Sequence, residues 1–273
     1  MYYNNWFETN LHKRFNDISL DLNITVNPYA VDVKSFDEEC TITAEIILKM
    51  DKPIYIGLSG GIDSEFVCDV FFRNGIDFTP IITCYPGNEL ETSWAFKYCN
   101  EKQLKPVVLQ ISEKEIVDCI WNVIVKQLNG FGIYAVGTIH ASKYAEKQNG
   151  VFIEAEHIIG DGETLIENFN FYVSDHDFYS QILSSQPVIS FFLYRLELTI
   201  AMILNASNSY GNWMNYKHAM FKRPLRPKMQ PIYSNAVKDV IKLMFSYRKY
   251  KPANKYFFGN KETILQKLMI GDK

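Results

Sequence analysis

The most constraining feature of the chain is an abrupt transition near its first fifth. The apolar run Pro53-Ile54-Tyr55-Ile56-Gly57-Leu58 passes directly into Ser59-Gly60-Gly61-Ile62-Asp63-Ser64, after which Phe66, Val67, Val70 and Phe71 recur at helical spacing. A short apolar run suits a buried strand and the recurring stripe a helix, so the paired glycines mark a strand–bend–helix unit. The alternation continues. Phe78–Cys84 reads as a second strand and Trp94, Ala95, Tyr98 and Cys99 as a helical stripe ending before Pro106. Val107–Ile111 is a third strand, Ile116, Ile120, Ile124 and Leu128 a third helix, and Val151–Ala155 a fourth strand. Apolar strands alternating with amphipathic helices predict an α/β fold, a doubly wound parallel sheet covered on both faces.

This unit is expected over residues 51–175, preceded by an N-terminal extension (1–50) and followed by a helical C-terminal region (176–273) that caps the sheet's active edge. The extension holds a strand or two around Ile18–Val33 and a helix over Asp37–Met50. The C-terminal region reads as a helix over Pro187–Leu204, a proline-broken basic loop over Lys217–Pro231 and a helix over Asn235–Phe245. With 273 residues, 47% of them hydrophobic, there is enough apolar material for a full core. A net charge of -3 is unlike that of a globally basic nucleic-acid binder. Five scattered cysteines without a C-x-x-C pair argue against a disulfide framework or zinc knuckle and suit a reducing compartment. The N-terminal residues do not follow a signal-peptide pattern, and Arg195 and Glu197 interrupt the most apolar run. The expectation is a cytoplasmic globular protein with no membrane partner.

At the bend, adjacent glycines let a ligand approach main-chain N–H groups, and the following helix aims its unpaired amides and positive dipole end at the same point. Ser59 and Ser64 add hydroxyls, and Asp63 is placed to hold a divalent cation. Such a bend, at the carboxyl end of a parallel strand, suits a pyrophosphate carrying Mg²⁺. Two other readings stand beside it. One is a glycine turn with no ligand. The other takes Gly57-Leu58-Ser59-Gly60-Gly61 as a nucleophile elbow, making Ser59 the nucleophile of a serine hydrolase, with Asp175 or Asp177 and His218 following in order. That reading leaves Asp63 and Ser64 without a role and finds no oxyanion segment upstream. A Walker-type loop is absent from the sequence.

Ser-Gly-Gly-x-Asp-Ser after an apolar strand resembles the PP-loop of the N-type ATP pyrophosphatases. That group includes the synthetase domains of asparagine, GMP and NAD synthetases and the phosphoadenylylsulfate reductases. The resemblance runs through residues 52–163. Asn88-Glu89-Leu90-Glu91-Thr92-Ser93-Trp94-Ala95 is similar to the family's acidic start of the second helix, and Lys105-Pro106-Val107-Val108-Leu109 to its third strand. Gly160-Asp161-Gly162-Glu163 looks like a shortened form of the asparagine synthetase signature Gly-Glu-Gly-Ala-Asp-Glu.

The resemblance implies an adenine nucleotide alpha hydrolase-like fold with ATP and Mg²⁺ as cofactors. Leu58, Ser59, Gly60, Gly61, Asp63 and Ser64 would bind ATP, the loop gripping its tail phosphates. Backbone near Ile82 and Thr83 would read the adenine, and Asp63 and Asp161 would hold the metal. Lys222 and Arg223 fall in a basic, proline-containing segment comparable to one late in asparagine synthetases, and would neutralise charge on the α-phosphate. The implied activity is an asparagine synthetase-like ligase. It adenylates a small-molecule acceptor, splitting ATP into AMP and pyrophosphate, for attack by ammonia, an amine or the product of a separate donor protein. The alternative within the group is a phosphoadenylylsulfate reductase-like protein of sulfur metabolism or RNA modification.

Several further constellations carry both functional and structural readings. Glu154, Glu156, His157, Asp161 and Glu163 either complete magnesium coordination or form a solvated strand end. Lys217, His218, Lys222, Arg223, Arg226 and Lys228 belong to the active site, to a contact with RNA, or to a solvated loop. Tyr247, Arg248, Lys249, Tyr250, Lys251, Lys255 and Tyr256 are read as packing in preference to base stacking. RNA is thus a possible partner but not the favoured one. Arg195, on an apolar helix, needs a partner from another element or a cleft to face, since residues two apart on a helix, such as Glu197, point to different sides. Cys84 and His140 are taken as structural.

Overall fold

The computed structural model describes residues 6–10, 13, 23–27, 29, 31–126, 135–156, 159–161, 170–174, 178–205, 213–222, 234–247 and 255–270. In chain order its strands are β1 (Phe7–Thr9), β2 (Ile24–Val26), β3 (Ile54–Gly57), β4 (Thr79–Cys84), β5 (Val107–Gln110), β6 (Val151–Glu154), β7 (Ile159–Asp161), β8 (Asn170–Ser174), β9 (Val188–Ser190) and β10 (Lys255–Gly259). Its helices are α1 (Phe36–Leu48), α2 (Ile62–Arg73), α3 (Glu89–Lys102), α4 (Glu113–Asp118), α5 (Ala135–Lys147), α6 (Tyr179–Leu183), α7 (Leu196–Leu204), α8 (Trp213–Met220), α9 (Asn235–Tyr247) and α10 (Lys261–Ile270).

The expected parallel sheet is present, with strand order β5-β4-β3-β6-β9. Every neighbouring pair in it is parallel. Side-chain alternation divides its two faces. Ile54, Ile56, Ile82, Val151, Ile153 and Ile189 enter the larger core beneath α1, α2 and α7. Ile81, Phe152 and Val188 point the other way, against Ala141 and Ala145 of α5. Because both faces of the inner strands β3, β4, β6 and β9 are covered, those strands read as near-continuous apolar runs, while the edge strand β5 leaves Val108 exposed.

The order also fixes the site. The chain runs outward from β3 to β4 and β5, then returns to the far side of β3 as β6. Loops leaving β3 and β6 therefore diverge at their carboxyl ends and open a crevice there.

Capping chemistry sets the helix starts. Ser35 caps α1 and Ser112 caps α4, each in a reciprocal capping box, with Glu38 and Glu115 respectively. The third helical stripe becomes α4 followed by a π-helical stretch, Cys119–Val125, that keeps Ile116, Ile120 and Ile124 buried. Leu128 lies outside the described residues. The N-terminal extension is tied to the core, since Trp6 is 1% exposed and its Nε1 donates to the Leu193 carbonyl at 2.9 Å. Its strands β1 and β2 pair antiparallel.

Three expectations are corrected. Pro187–Leu204 is not one helix: Val188–Ser190 forms β9, Phe191–Leu193 a 3₁₀ turn and Leu196–Leu204 the helix α7. A run apolar at nearly every position carries no period to separate strand from helix, and the β-branched pair Val188-Ile189 completes the sheet beside β6. The C-terminal region thus carries helices and also strands, β10 joining an antiparallel sheet of order β10-β8-β7.

Lys217 and His218 are not in a loop but are buried on α8, which stops before Pro224. Glu197, finally, is a partner of Arg195 after all. Arg195 is the extended N-cap of α7, outside the helical geometry, so its guanidinium reaches Glu197 at 3.2 Å and buried Glu39 at 2.7 Å. Among the described residues no helix is long and apolar enough to cross a membrane.

Candidate functional site

The bend after β3 is stapled by its own hydroxyls. The Ser59 amide donates to Ser64 Oγ at 3.2 Å, the two hydroxyl oxygens lie 3.1 Å apart, and the Gly61 amide donates to Ser59 Oγ at 3.2 Å. Ser64 Oγ in turn donates to the Gly61 carbonyl at 3.1 Å. Gly60 has a φ of 93°, a left-handed conformation, and a Cβ there would stand 2.1 Å from the Glu91 carbonyl oxygen at the start of α3. Glycine is therefore required at 60 on two counts, backbone conformation and space. Gly61 is the N-cap of α2 and offers no side chain to its first amides. An N-terminus capped by no side chain and opening on a crevice is suited to an anion.

That crevice is a cleft of about 450 Å³. Its floor is Gly57, Leu58, Ser59, Gly61, Asp63 and Ser64. Ile81, Ala141 and Phe152, packed together between the sheet and α5, form its apolar wall with Thr83, Gly137 and Thr138, and Tyr85, Glu91, Glu154, Ala155, Glu156 and Lys217 also line it. The apolar wall depends on close approach of α5 to the sheet, since a Cβ on Gly137 would fall 2.8 Å from Thr83 Oγ1.

Charge in the cleft is uneven. Among the described residues, Asp63, Glu91, Glu154 and Glu156 line it and Lys217 is the cation. Lys217 Nζ lies 3.0 Å from Asp63 Oδ1 and 2.9 Å from Oδ2. Glu154 is 5% exposed and accepts from Ser180 Oγ at 2.7 Å, Ser190 Oγ at 2.9 Å and Gln181 Nε2 at 3.3 Å. Burial raises the Glu91 carboxyl above its ordinary value.

A polyphosphate entering so acidic a cleft needs accompanying cations. Among the described residues no three His, Cys, Asp or Glu groups lie close enough together to hold a metal by themselves. Asp63 nonetheless fits magnesium, which takes one or two carboxylates and completes its shell with phosphate oxygens and water.

The structure brings together Leu58, Ser59, Gly61, Asp63, Ser64 and Thr83 on the cleft, with Gly60 shaping the bend beneath them. Ile82 sends its side chain into the larger core, leaving only its backbone near the site. Asp161 pairs through its backbone with Asn170 in β7–β8. Lys222 is exposed and does not line the cleft, while Arg223, His157, Gly162, Glu163, Asp175 and Asp177 lie outside the described residues. Sequence reasoning missed Ile81, Gly137, Thr138, Ala141 and Phe152, and left Lys217 among five clustered lysines and arginines. Ile81 had a signal, because it shares a strand face with Thr83. For the elbow reading, Ser59 Oγ is engaged within its own loop and His218 does not line the cleft.

No protein-family model and no curated protein matches the chain. Among solved structures it is similar to the NH3-dependent NAD synthetase of Campylobacter jejuni, with a TM-score of 0.33 and 20% identity over 45% of this chain and 55% of that one. It is similar to the glutamine-dependent NAD+ synthetase of Acinetobacter baumannii, with a TM-score of 0.36 and 13% identity over 49% of this chain and 28% of that one. A third is the NMN synthetase of Francisella tularensis, with a TM-score of 0.37 and 11% identity over 78% of this chain and 94% of that one. The first two matches thus span only 55% and 28% of those proteins' own lengths. These neighbours are NAD and NMN synthetases, and asparagine synthetase in particular is not singled out. Likeness at this level carries no substrate or residue role over to this chain.

Proposed function

We propose that the cleft binds ATP with magnesium and that the protein transfers the AMP portion to a small-molecule acceptor, releasing pyrophosphate, with AMP set free when a nucleophile then displaces it from the acceptor. The observation that carries this is the start of α2. Its N-terminus has no side-chain cap, is approached through the left-handed Gly60, and opens at the sheet's switch point beside the ammonium of Lys217. Backbone amides of the bend and the hydroxyls of Ser59 and Ser64 would cradle the tail phosphates. Asp63 would hold magnesium, which on binding neutralises charge on the departing pyrophosphate. Lys217, in preference to the exposed Lys222, is the described cation best placed to meet phosphate oxygens. The apolar side chains of Ile81, Ala141 and Phe152 would receive the adenine ring.

Positioning and charge neutralisation account for the proposed chemistry, with no general base assigned. The PP-loop resemblance extends the proposal to carbon–nitrogen bond formation. In that version ammonia, an amine or a separate donor protein supplies the nitrogen that displaces AMP.

The test is to incubate labelled ATP, Mg²⁺ and the protein with panels of carboxylic acids and amines. The expected result is AMP and pyrophosphate in equal amounts with a particular acceptor, and loss of both in a folded Asp63→Asn variant. Release of ADP and phosphate instead, or no turnover with any acceptor, contradicts the proposal.

A further inference from the structure

Lys217 grips Asp63 through both carboxylate oxygens, at 3.0 Å and 2.9 Å. The lysine side chain is 7% exposed and the carboxylate 26%, so solvent screens the pair only weakly. The contact is set in register by two helices. Asp63 and Phe66 lie three residues apart on α2, while Lys217 and Phe221 lie four apart at the end of α8. The Phe66 and Phe221 rings stack with centroids 4.3 Å apart and planes 20° from parallel. The Phe221 amide donates to the Lys217 carbonyl at 2.9 Å, and Phe36 and Phe192 stack on the same rings. An apolar contact and an ionic one, a turn apart, hold α8 against α2.

Lys217 sits between the two Asp63 oxygens, the position a metal ion would take to be held by both. A metal ion entering there displaces the ammonium, which then gives up that ion pair in a poorly screened place. A bare metal ion offers nothing in return and adds like charge beside the lysine. A metal–nucleotide complex offers both replacements together, the metal for Asp63 and phosphate oxygens for the ammonium.

We infer that Lys217 is a specificity-determining residue: by pairing with Asp63, it makes the site selective for the metal–nucleotide complex over the free metal. This rests on the ATP reading above and adds to it a coupling between the two ligands, which must be reciprocal.

The test measures bound Mn²⁺, as a probe for the divalent cation, by electron paramagnetic resonance, with and without a non-hydrolysable ATP analogue. Wild type is expected to bind Mn²⁺ on the order of 5- to 150-fold more tightly with the analogue than without it. In Lys217→Met, Mn²⁺ alone binds more tightly than to wild type, the analogue alone binds more weakly, and most of the enhancement disappears. Lys217→Gln, which keeps side-chain length and polarity without the charge, behaves the same way and serves if the Met variant does not fold. Unchanged Mn²⁺ affinity and undiminished enhancement in a folded variant overturn the inference while leaving the ATP reading intact. A wild type that binds neither Mn²⁺ nor analogue overturns the ATP reading itself.

Discussion

Glu91 lines the cleft, with its carbonyl against the one bend residue that must be glycine and its carboxyl held above the usual glutamate range by burial. The folded state thus favours the protonated acid. That contribution is complete below the unfolded value and lost as pH rises through the raised folded one. Glu91→Gln, which cannot ionise, should melt at a higher temperature than wild type near neutral pH, and the difference should close below about pH 4. A lower melting temperature at neutral pH would show instead that the carboxylate is stabilised by a partner. At this scale the bend itself was legible, because glycine pairs, hydroxyls and a following acid announce their chemistry locally. Lys217 was not. Five lysines and arginines crowd residues 217–228, and charge alone cannot say which is buried. Helical spacing, with Phe221 four residues on, is the only trace of the side that Lys217 faces.

Among the elements, the packing of α5 on β4 decides the shape of the apolar wall. Gly137 lets α5 approach Thr83, whose Oγ1 would lie 2.8 Å from an added Cβ and whose Cβ would lie 3.6 Å from it. Gly137→Ala should therefore lower stability in urea unfolding, an overpacking cost of about 1–3 kcal/mol reduced by the roughly 1 kcal/mol that alanine gains over glycine inside a helix. Adding Thr83→Ala removes the clashing hydroxyl and should recover most of that loss, a coupling that a double-mutant cycle reads directly. Strictly additive losses would show that the contact is not what holds α5 in place. The strands β3 to β6 and the helices α2 to α4 were legible because the inner strands are apolar on both faces and those helices keep one apolar stripe, whereas α5, with Gly137, His140 and Ser142 among its residues, showed no such stripe. β9 was not, since Val188-Ile189 continues without a break into the apolar 3₁₀ turn and α7. Arg195 was misjudged for a related reason. Taken as a residue inside a helix it could not meet Glu197, whereas as an extended N-cap it does.

For the molecule as a whole, the strand order places the bend after β3 where neighbouring connections diverge, and α8 arrives from the far end of the sequence to close the cleft with Lys217. Parallel pairing of β3, β4, β5 and β6 follows from their alternation with helices, but a contact across 154 residues, like that of Lys217 with Asp63, leaves no local pattern. In the proposed function, this cleft takes the tail phosphates of a nucleotide on the bend, with a metal on Asp63. A crystal structure of the protein with Mg²⁺ and a non-hydrolysable ATP analogue measures this most directly. The expected result is phosphate density against the amides of residues 60–64, the metal on Asp63, Lys217 moved from the carboxylate to phosphate oxygen, and adenine against Ile81 and Phe152. A nucleotide bound elsewhere, or a bare bend with the Lys217–Asp63 pair unbroken at saturating ligand, would contradict it.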